Sequence, residues 1–319
     1  MTDGASKTVL ITGGYGGLGL ECGKRIAACG KGWTVVVAGR DIAKAQSAAN
    51  VIGNGATALK LNLASLRNIR ESVVALNTQI ESGRLPPLRG LVLNAGIQTN
   101  NKNAKTEEGF ELTFGVNHLG HFLLANLLLK DMRAPGRVVV TTSGTHDANT
   151  IEGRFNKPSF ISAELAAYTE RAGAPKLNGV RRYSTSKLAN VLFAYELSRR
   201  LERVGLSTPE RPLTVNAYDP GAVPTTGLLR EHGPLMKAMI AHPRALKWMG
   251  VRVESIETAG GALARLVTDE TLEGVTRQYY QGFKEARSAN SSYDEIVSAK
   301  LWVDSEMLVG LQTEERIGS

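Results

Sequence analysis

Between the β-branched run Lys7-Thr8-Val9-Leu10-Ile11 and a helix-like segment reaching about Gly30 stands Thr12-Gly13-Gly14-Tyr15-Gly16-Gly17-Leu18-Gly19. A strand, a turn made mostly of glycine and a helix N-terminus in immediate succession form a phosphate site. Backbone N–H groups converge there, the helix dipole favours an anion, and glycine lets a pyrophosphate approach without a Cβ in the way. Tight turns elsewhere use the same residues. Its place between a strand and a helix near the N-terminus is what points to a dinucleotide-binding α/β fold.

The next segments continue the alternation. A second strand, Trp33 to Ala38, ends in Gly39-Arg40-Asp41. An acidic residue at that strand end would hold ribose hydroxyls, whereas an arginine accommodates a 2′-phosphate. Gly39 leaves the acidic position empty and Arg40 supplies the cation, which favours NADP(H) over NAD. Asp41 reads as the N-cap of the helix from Ile42 to about Val51. A third strand, Ala56 to Leu61, closes with Asn62-Leu63-Ala64-Ser65, where Asn62 is placed either to bond an adenine edge or to cap the helix Leu66 to Ile80. Gly90 to Leu93 is a fourth strand ending in the small residues Asn94-Ala95-Gly96, which allow a flat cofactor to pack closely.

Glu107 to Met132 has a long helical pattern with Asn117 in its apolar middle, a costly position unless the amide has partners. His118 and His121 have a spacing that admits a metal, but no third ligand accompanies them. The fifth strand, Arg137 to Ser143, carries Ser143 to its C-terminal end, where ligands of open α/β sheets bind. Gly144 to Arg182 is a long connection with one short helix, Ser162 to Ala172, and its length marks a lid or binding surface.

Tyr183-Ser184-Thr185-Ser186-Lys187 then opens an apolar helical run. Residues four apart share a helix face, so Tyr183 and Lys187 point at one substrate. An ammonium beside a phenol is expected to lower the phenol pKa towards working pH and make it a proton donor or acceptor. Leu213 to Ala217 is a sixth strand, followed by Asp219-Pro220-Gly221-Ala222-Val223-Pro224-Thr225-Thr226. Leu228 to Met249 reads as helix interrupted by Pro234 and Pro243, with Met236, Met239 and Trp248 forming a pocket or plain core. A helix near Ser255 to Val267 and a last strand, Arg277 to Gln281, complete the pattern.

A chain of 319 residues with 42% hydrophobic content suits one large α/β domain. Its net charge of +8 is scattered, without a basic run interleaved with aromatics, so nucleic acid is not an expected partner. No run of about 18 consecutive apolar residues or leader-like N-terminus stands out, and a cytoplasmic location is expected. Cys22 and Cys29, seven apart on one helix and roughly 10 Å from each other, read as buried thiols rather than a disulfide.

The ordered set Thr12-Gly13-xxx-Gly17-x-Gly19, Asn94-Ala95-Gly96, Asn117, Ser143, Tyr183-xxx-Lys187 and Pro220-Gly221 resembles the short-chain dehydrogenases/reductases. The resemblance implies a Rossmann-type doubly wound parallel sheet in a single domain. Its parts would be a dinucleotide-binding half (5–143), an insertion (144–182), a catalytic and substrate-binding region (183–283) and a C-terminal helical extension (284–319). It further implies Tyr183 as acid or base, Ser143 polarising the substrate oxygen, Lys187 lowering the tyrosine pKa and holding ribose, and Asn117 holding a proton-relay water. The implied cofactor contacts are Thr12, Gly13, Tyr15, Gly17, Leu18, Gly19, Arg40, Asn62, Leu63, Asn94, Ala95, Gly96, Pro220, Gly221, Val223 and Thr225, with Tyr183 and Lys187.

Within the family, Asn117 to Phe122, Thr225 to His232 and Trp302 to Leu311 are similar to the light-dependent protochlorophyllide reductases and the neighbouring retinol-dehydrogenase-like group. Those pigment enzymes carry a cysteine after the Pro-Gly pair, a tyrosine before it and a further cysteine after the motif lysine, where this chain has Ala222, Asp219 and Ala189. A ketone or aldehyde needs only Ser143, Tyr183 and Lys187. The expectation is therefore an NADP(H)-dependent carbonyl reductase or alcohol dehydrogenase, monomeric or homodimeric, with the 144–182 insertion covering the pairing face. Tetrapyrrole reduction and a non-catalytic NADP(H) sensor are the alternatives.

Overall fold

The computed structural model describes residues 6–223 and 251–317. Thr225 and the expected helix from Leu228 to Met249 lie outside the described residues. Eight strands form one sheet in the order β3-β2-β1-β4-β5-β6-β7-β8. They are β1 Lys7–Thr12, β2 Trp33–Gly39, β3 Thr57–Lys60, β4 Leu88–Leu93, β5 Gly136–Thr141, β6 Leu213–Asp219, β7 Tyr279–Gln281 and β8 Lys284–Ala286. All pairs are parallel except β7 with β8, a terminal hairpin absent from the sequence reading. The order reverses between β1 and β4, and a crevice opens at the carboxyl ends of strands on either side of such a reversal.

Alternation along the strands builds two cores. Leu10, Val36 and Ala38 enter one, whereas Val9, Ile11, Val35 and Val37 enter the other, as the period of two requires. The second core is covered by α1 (Gly17–Ala28), α2 (Ile42–Ile52) and α9 (Ile256–Thr268). A Cβ at Gly260 would lie 2.6 Å from the Glu21 side chain, so glycine there lets α9 approach α1 closely. Cys22 is buried and its thiol is pushed up by burial. Cys29 departs from the expectation: it is the C-cap of α1 and partly exposed, because the helix has already ended.

On the first face, α3 (Leu66–Glu81) packs beside a segment that differs from the expected helix of Glu107 to Met132. Only Leu112–Phe114 (α4) and Gly120–Leu129 (α5) are α-helical, and Gly115–Leu119 between them is a π-helical turn. Upstream, Glu111 caps α4 by accepting from the Phe114 N–H at 2.7 Å, which fixes the start later than periodicity indicated. The stretch Leu112–Leu129 is long and apolar enough to cross a membrane, but 94% of it is buried in the protein.

The 144–182 segment contains two short helices, α6 (Ile151–Phe155) and α7 (Ala163–Ala167), the first not foreseen and the second shorter than expected. It leads into α8 (Gly179–Arg203), 25 residues long, which starts at the cap Asn178 and buries its Tyr183 to Ser198 face. The C-terminal helix α10 (Glu295–Leu308) packs on α8 and α7. Its Trp302 ring lies 4.8 Å from Phe122 on α5 and 5.9 Å from Phe193 on α8. Thus α10, and not the insertion alone, covers the α5 and α8 face.

Candidate active site

The carboxyl ends of β1, β2, β4, β5 and β6 open into one cleft of about 440 Å³. At one end lies the glycine-rich turn. Gly13 and Gly17 have φ of +65° and +52°, a region that costs other residues strain. The N-cap of α1 is Gly16, which has no side-chain oxygen to satisfy the first-turn N–H groups, so they remain free to receive an anion. Gly39 is glycine for a steric reason: a Cβ there would stand 2.3 Å from the Tyr15 ring. The exposed Arg40 follows at the cleft rim. Asp41 caps α2 through the Lys44 N–H at 3.1 Å and pairs with the Lys44 ammonium at 3.1 Å, which leaves its carboxylate engaged.

Asn62 does not cap α3; Ser65 does. The Asn62 amide oxygen instead accepts from the Ala64 N–H in a local turn, with Leu63 beside it in the cleft wall. Asn94, Ala95 and Gly96 line the middle of the cleft. Gly96 is where Lys187 arrives, since a Cβ on it would be 3.4 Å from Nζ.

Tyr183 and Lys187 project from one face of α8 towards Ser143, just beyond β5, with Pro220, Gly221 and Val223 opposite. Burial pushes the Tyr183 phenol up, while a hydrogen bond with the Ser143 side chain holds it down and the charge of Asp219 raises it further. The expected lowering by Lys187 is therefore not what the structure has. The ammonium lies 5.4 Å from the phenol ring centre and donates to the Thr141 carbonyl at 3.1 Å, so desolvation of the phenol dominates. Lys187 is itself lowered to about 8 by burial, with Asp219 opposing the shift.

Three residues of the sequence reading stand differently. Gly19 lies behind the wall, where a Cβ would come within 2.6 Å of the Gly13 carbonyl and 2.8 Å of Asn94 Nδ2; its role is close packing. The Thr12 hydroxyl, though at the cleft floor, is fully engaged: it accepts from the Asn94 and Ala95 N–H groups at 2.9 and 3.0 Å. Asn117 sits in the π turn and clamps the loop after β4. Its amide accepts from the Ile97 N–H at 2.8 Å and donates to the Ile97 carbonyl and to Ser186 Oγ. With those bonds made, the side chain ties the loop after β4 to α8.

Sequence reasoning missed the buried groups that fix these parts. His121 Nδ1 donates to the Asn117 carbonyl at 3.1 Å, so Nε2 takes the proton of the Thr12 hydroxyl at 2.9 Å. Burial lowers His121 to about 4 and His118 to about 3, so both are neutral. His118 bonds Ser305 of α10 instead of sharing a ligand with His121, and the described residues contain no group of three metal-binding side chains. Asp219 accepts from the Gly221 N–H and from Tyr279 and pairs with Arg252 at 3.1 Å. A polar residue inside an apolar run was the only signal for His121; nothing local marked Arg252.

A family model described as short chain dehydrogenase matches residues 7–153. Retinol dehydrogenase 13 of Homo sapiens is 34% identical, over 96% of this chain and 85% of its own. The chloroplastic protochlorophyllide reductase of Chlamydomonas reinhardtii is 35% identical, over 96% of this chain and 78% of its own. A crystal structure of an uncharacterized protein from Mycobacterium paratuberculosis aligns with a TM-score of 0.68 and 27% identity, over 96% of this chain and 94% of that one.

Proposed function

Because this chain belongs to the short-chain dehydrogenases, a family of oxidoreductases, we propose that it interconverts a ketone or aldehyde and the corresponding alcohol with NADP(H). The observation that carries this reading is the meeting of Ser143, Tyr183 and Lys187 at one end of a cleft whose other end is the uncapped N-terminus of α1. The cradle fits a dinucleotide: free first-turn N–H groups for its phosphates, Gly13 and Gly17 without side chains, and Asn94 to Gly96 for the flat ring. When bound, the cofactor gives or takes a hydride at the substrate carbon.

Tyr183 moves the matching proton at the substrate oxygen. In the reductive direction a phenol pushed up by burial holds its proton until the oxygen becomes basic. The Ser143 hydroxyl donates to that oxygen, so charge developing there meets two fixed donors. Lys187, held at the Thr141 carbonyl, is a nearby cation at neutral pH. Arg40, with no side chain at position 39 and with Asp41 engaged by Lys44, supports NADP(H) over NAD.

Tyr183→Phe keeps the ring and removes the proton; turnover of NADPH with a panel of ketones and aldehydes should fall by roughly 10²- to 10⁴-fold. Equal rates in the two proteins would remove the mechanism, and absence of turnover in both would leave a binding protein.

A second reading, reduction of a tetrapyrrole double bond, is favoured by the identity to protochlorophyllide reductases. Against it, Ala222 and Asp219 are engaged in scaffolding: Ala222 bridges Val253 and Asp219 is tied to Arg252 and Tyr279. A pigment absorbance change with NADPH under light would establish it.

A further inference from the structure

The carbonyl end of the cleft has a fastening that neither the glycine-rich turn nor the Tyr183 helix supplies. Ser143 lies past the end of β5 and begins a single 3₁₀ turn, Gly144–His146. Its own carbonyl accepts twice from His146: from the backbone N–H at 3.0 Å and from ring Nδ1 at 2.8 Å. On the other side of the ring, Nε2 accepts from the Ala289 N–H at 3.0 Å, 143 residues away in sequence. An amide can only donate, so Nε2 is the bare nitrogen and Nδ1 carries the hydrogen. One tautomer of a neutral ring satisfies both neighbours. The ring is 2% exposed and lies 5.1 Å from the Tyr279 ring, whose hydroxyl bonds Asp219.

Ala289 belongs to a short C-terminal loop that is itself bolted to α8. Ser292 Oγ donates to the Ala289 carbonyl at 2.6 Å and bonds Ser288 Oγ at 2.7 Å. Ser288 Oγ in turn meets the Tyr195 hydroxyl at 2.7 Å, and the Tyr195 and Tyr293 rings stack at 5.4 Å. Tyr195 stands on the helix that carries Tyr183 and Lys187. The catalytic serine and the catalytic tyrosine are thus registered by a second route, through segment 288–293.

We propose that His146 is a positioning residue, and that through it the C-terminal loop at Ala289 sets the placement of Ser143 relative to Tyr183. The catalytic part of this inference rests on the carbonyl reductase reading given above. Removing the ring frees the Ser143 carbonyl from its side-chain donor and leaves the Ala289 N–H buried without an acceptor. A misplacement of Ser143 by a fraction of its bond length then lowers the rate of the chemical step and spares the distant cofactor contacts.

The test compares His146→Ala, His146→Asn and His146→Gln in the full chain. Asparagine places its amide N–H where Nδ1 stands, and glutamine places its amide oxygen where Nε2 stands. Carbonyl turnover should drop roughly 10- to 100-fold in kcat for His146→Ala, with the NADPH KM within about twofold of the unaltered protein. His146→Asn should recover the larger share. Independently of catalysis, hydrogen exchange of peptides covering 286–293 should accelerate in His146→Ala and His146→Asn but not in His146→Gln. A kcat within twofold for His146→Ala, or unchanged exchange at 286–293, overturns the proposal. If the unaltered protein turns over no carbonyl, the functional reading fails by itself, and the exchange arm still decides whether His146 fastens the loop.

Discussion

Two buried imidazoles hold the two ends of one cleft, and they do so with the same chemistry. Each donates from Nδ1 to a main-chain carbonyl of its own local turn, Asn117 for His121 and Ser143 for His146. Each accepts at Nε2 from a distant part of the chain. They differ in what that distant part is. His121 reaches Thr12, in β1, an interior strand of the sheet, whereas His146 reaches Ala289, in a loop beyond the sheet's last strand. The glycine-turn end is therefore referenced to an interior strand of the sheet, and the Ser143 end to the periphery.

Acid acts on the glycine-turn end through His121. A histidine held well below its ordinary pKa stays neutral in the folded chain while the unfolded chain takes up a proton, so its contribution is complete above about pH 6.5 and is lost as pH falls. For His121, lowered to about 4, the loss amounts to about 3 kcal/mol between pH 6.5 and 4. Urea unfolding across that interval should show a flatter pH dependence in His121→Asn, and an unchanged slope would remove the role given to this ring. His146 is lowered in the same direction, by burial, with its hydrogen bond to the Ser143 carbonyl and then Asp219 and Asp147 opposing.

Thr12→Val is the next largest disturbance. The isosteric methyl leaves the Asn94 and Ala95 N–H groups and His121 Nε2 without their partner, at a cost of about 2 kcal/mol in unfolding free energy. Its effect should be read in cofactor affinity before kcat, the reverse of what His146→Ala does; loss of kcat alone would erase the distinction between the two ends. Smaller still is Arg40→Ala. Loss of one charge-assisted bond at an exposed rim should weaken NADPH roughly tenfold, about 1.4 kcal/mol, and leave NADH unchanged in a fluorescence titration.

Legibility in the sequence follows the same divide. The strand, glycine turn and helix of residues 7–28 were readable because backbone geometry dictates residue type there: positive φ at Gly13 and Gly17, and a Cβ at Gly19 that would come within 2.6 Å of the Gly13 carbonyl. Tyr183 and Lys187 were readable because one helix carries both. Not readable were the partners separated by tens to hundreds of residues, such as Thr12 with His121 or His146 with Ala289, since no local pattern encodes such a pairing. The tyrosine pKa also escaped, because residue spacing reports a neighbouring charge but says nothing of how completely the fold removes water from the phenol. The insertion helix α6 was missed for want of periodicity in five residues.

The wide turn at Gly115–Leu119 sets a rule about chain length. A π turn holds one residue more than the α-helical turn it replaces, and each residue of a regular helix swings its neighbours by about 100°. Deleting a single residue there would rotate Asn117 away from Ile97 or His121 away from Thr12, because both cannot keep their bearings in a uniform helix. Substitutions along this stretch are a question of fit; a change of its length by one residue would uncouple β1 from the wall of the cleft.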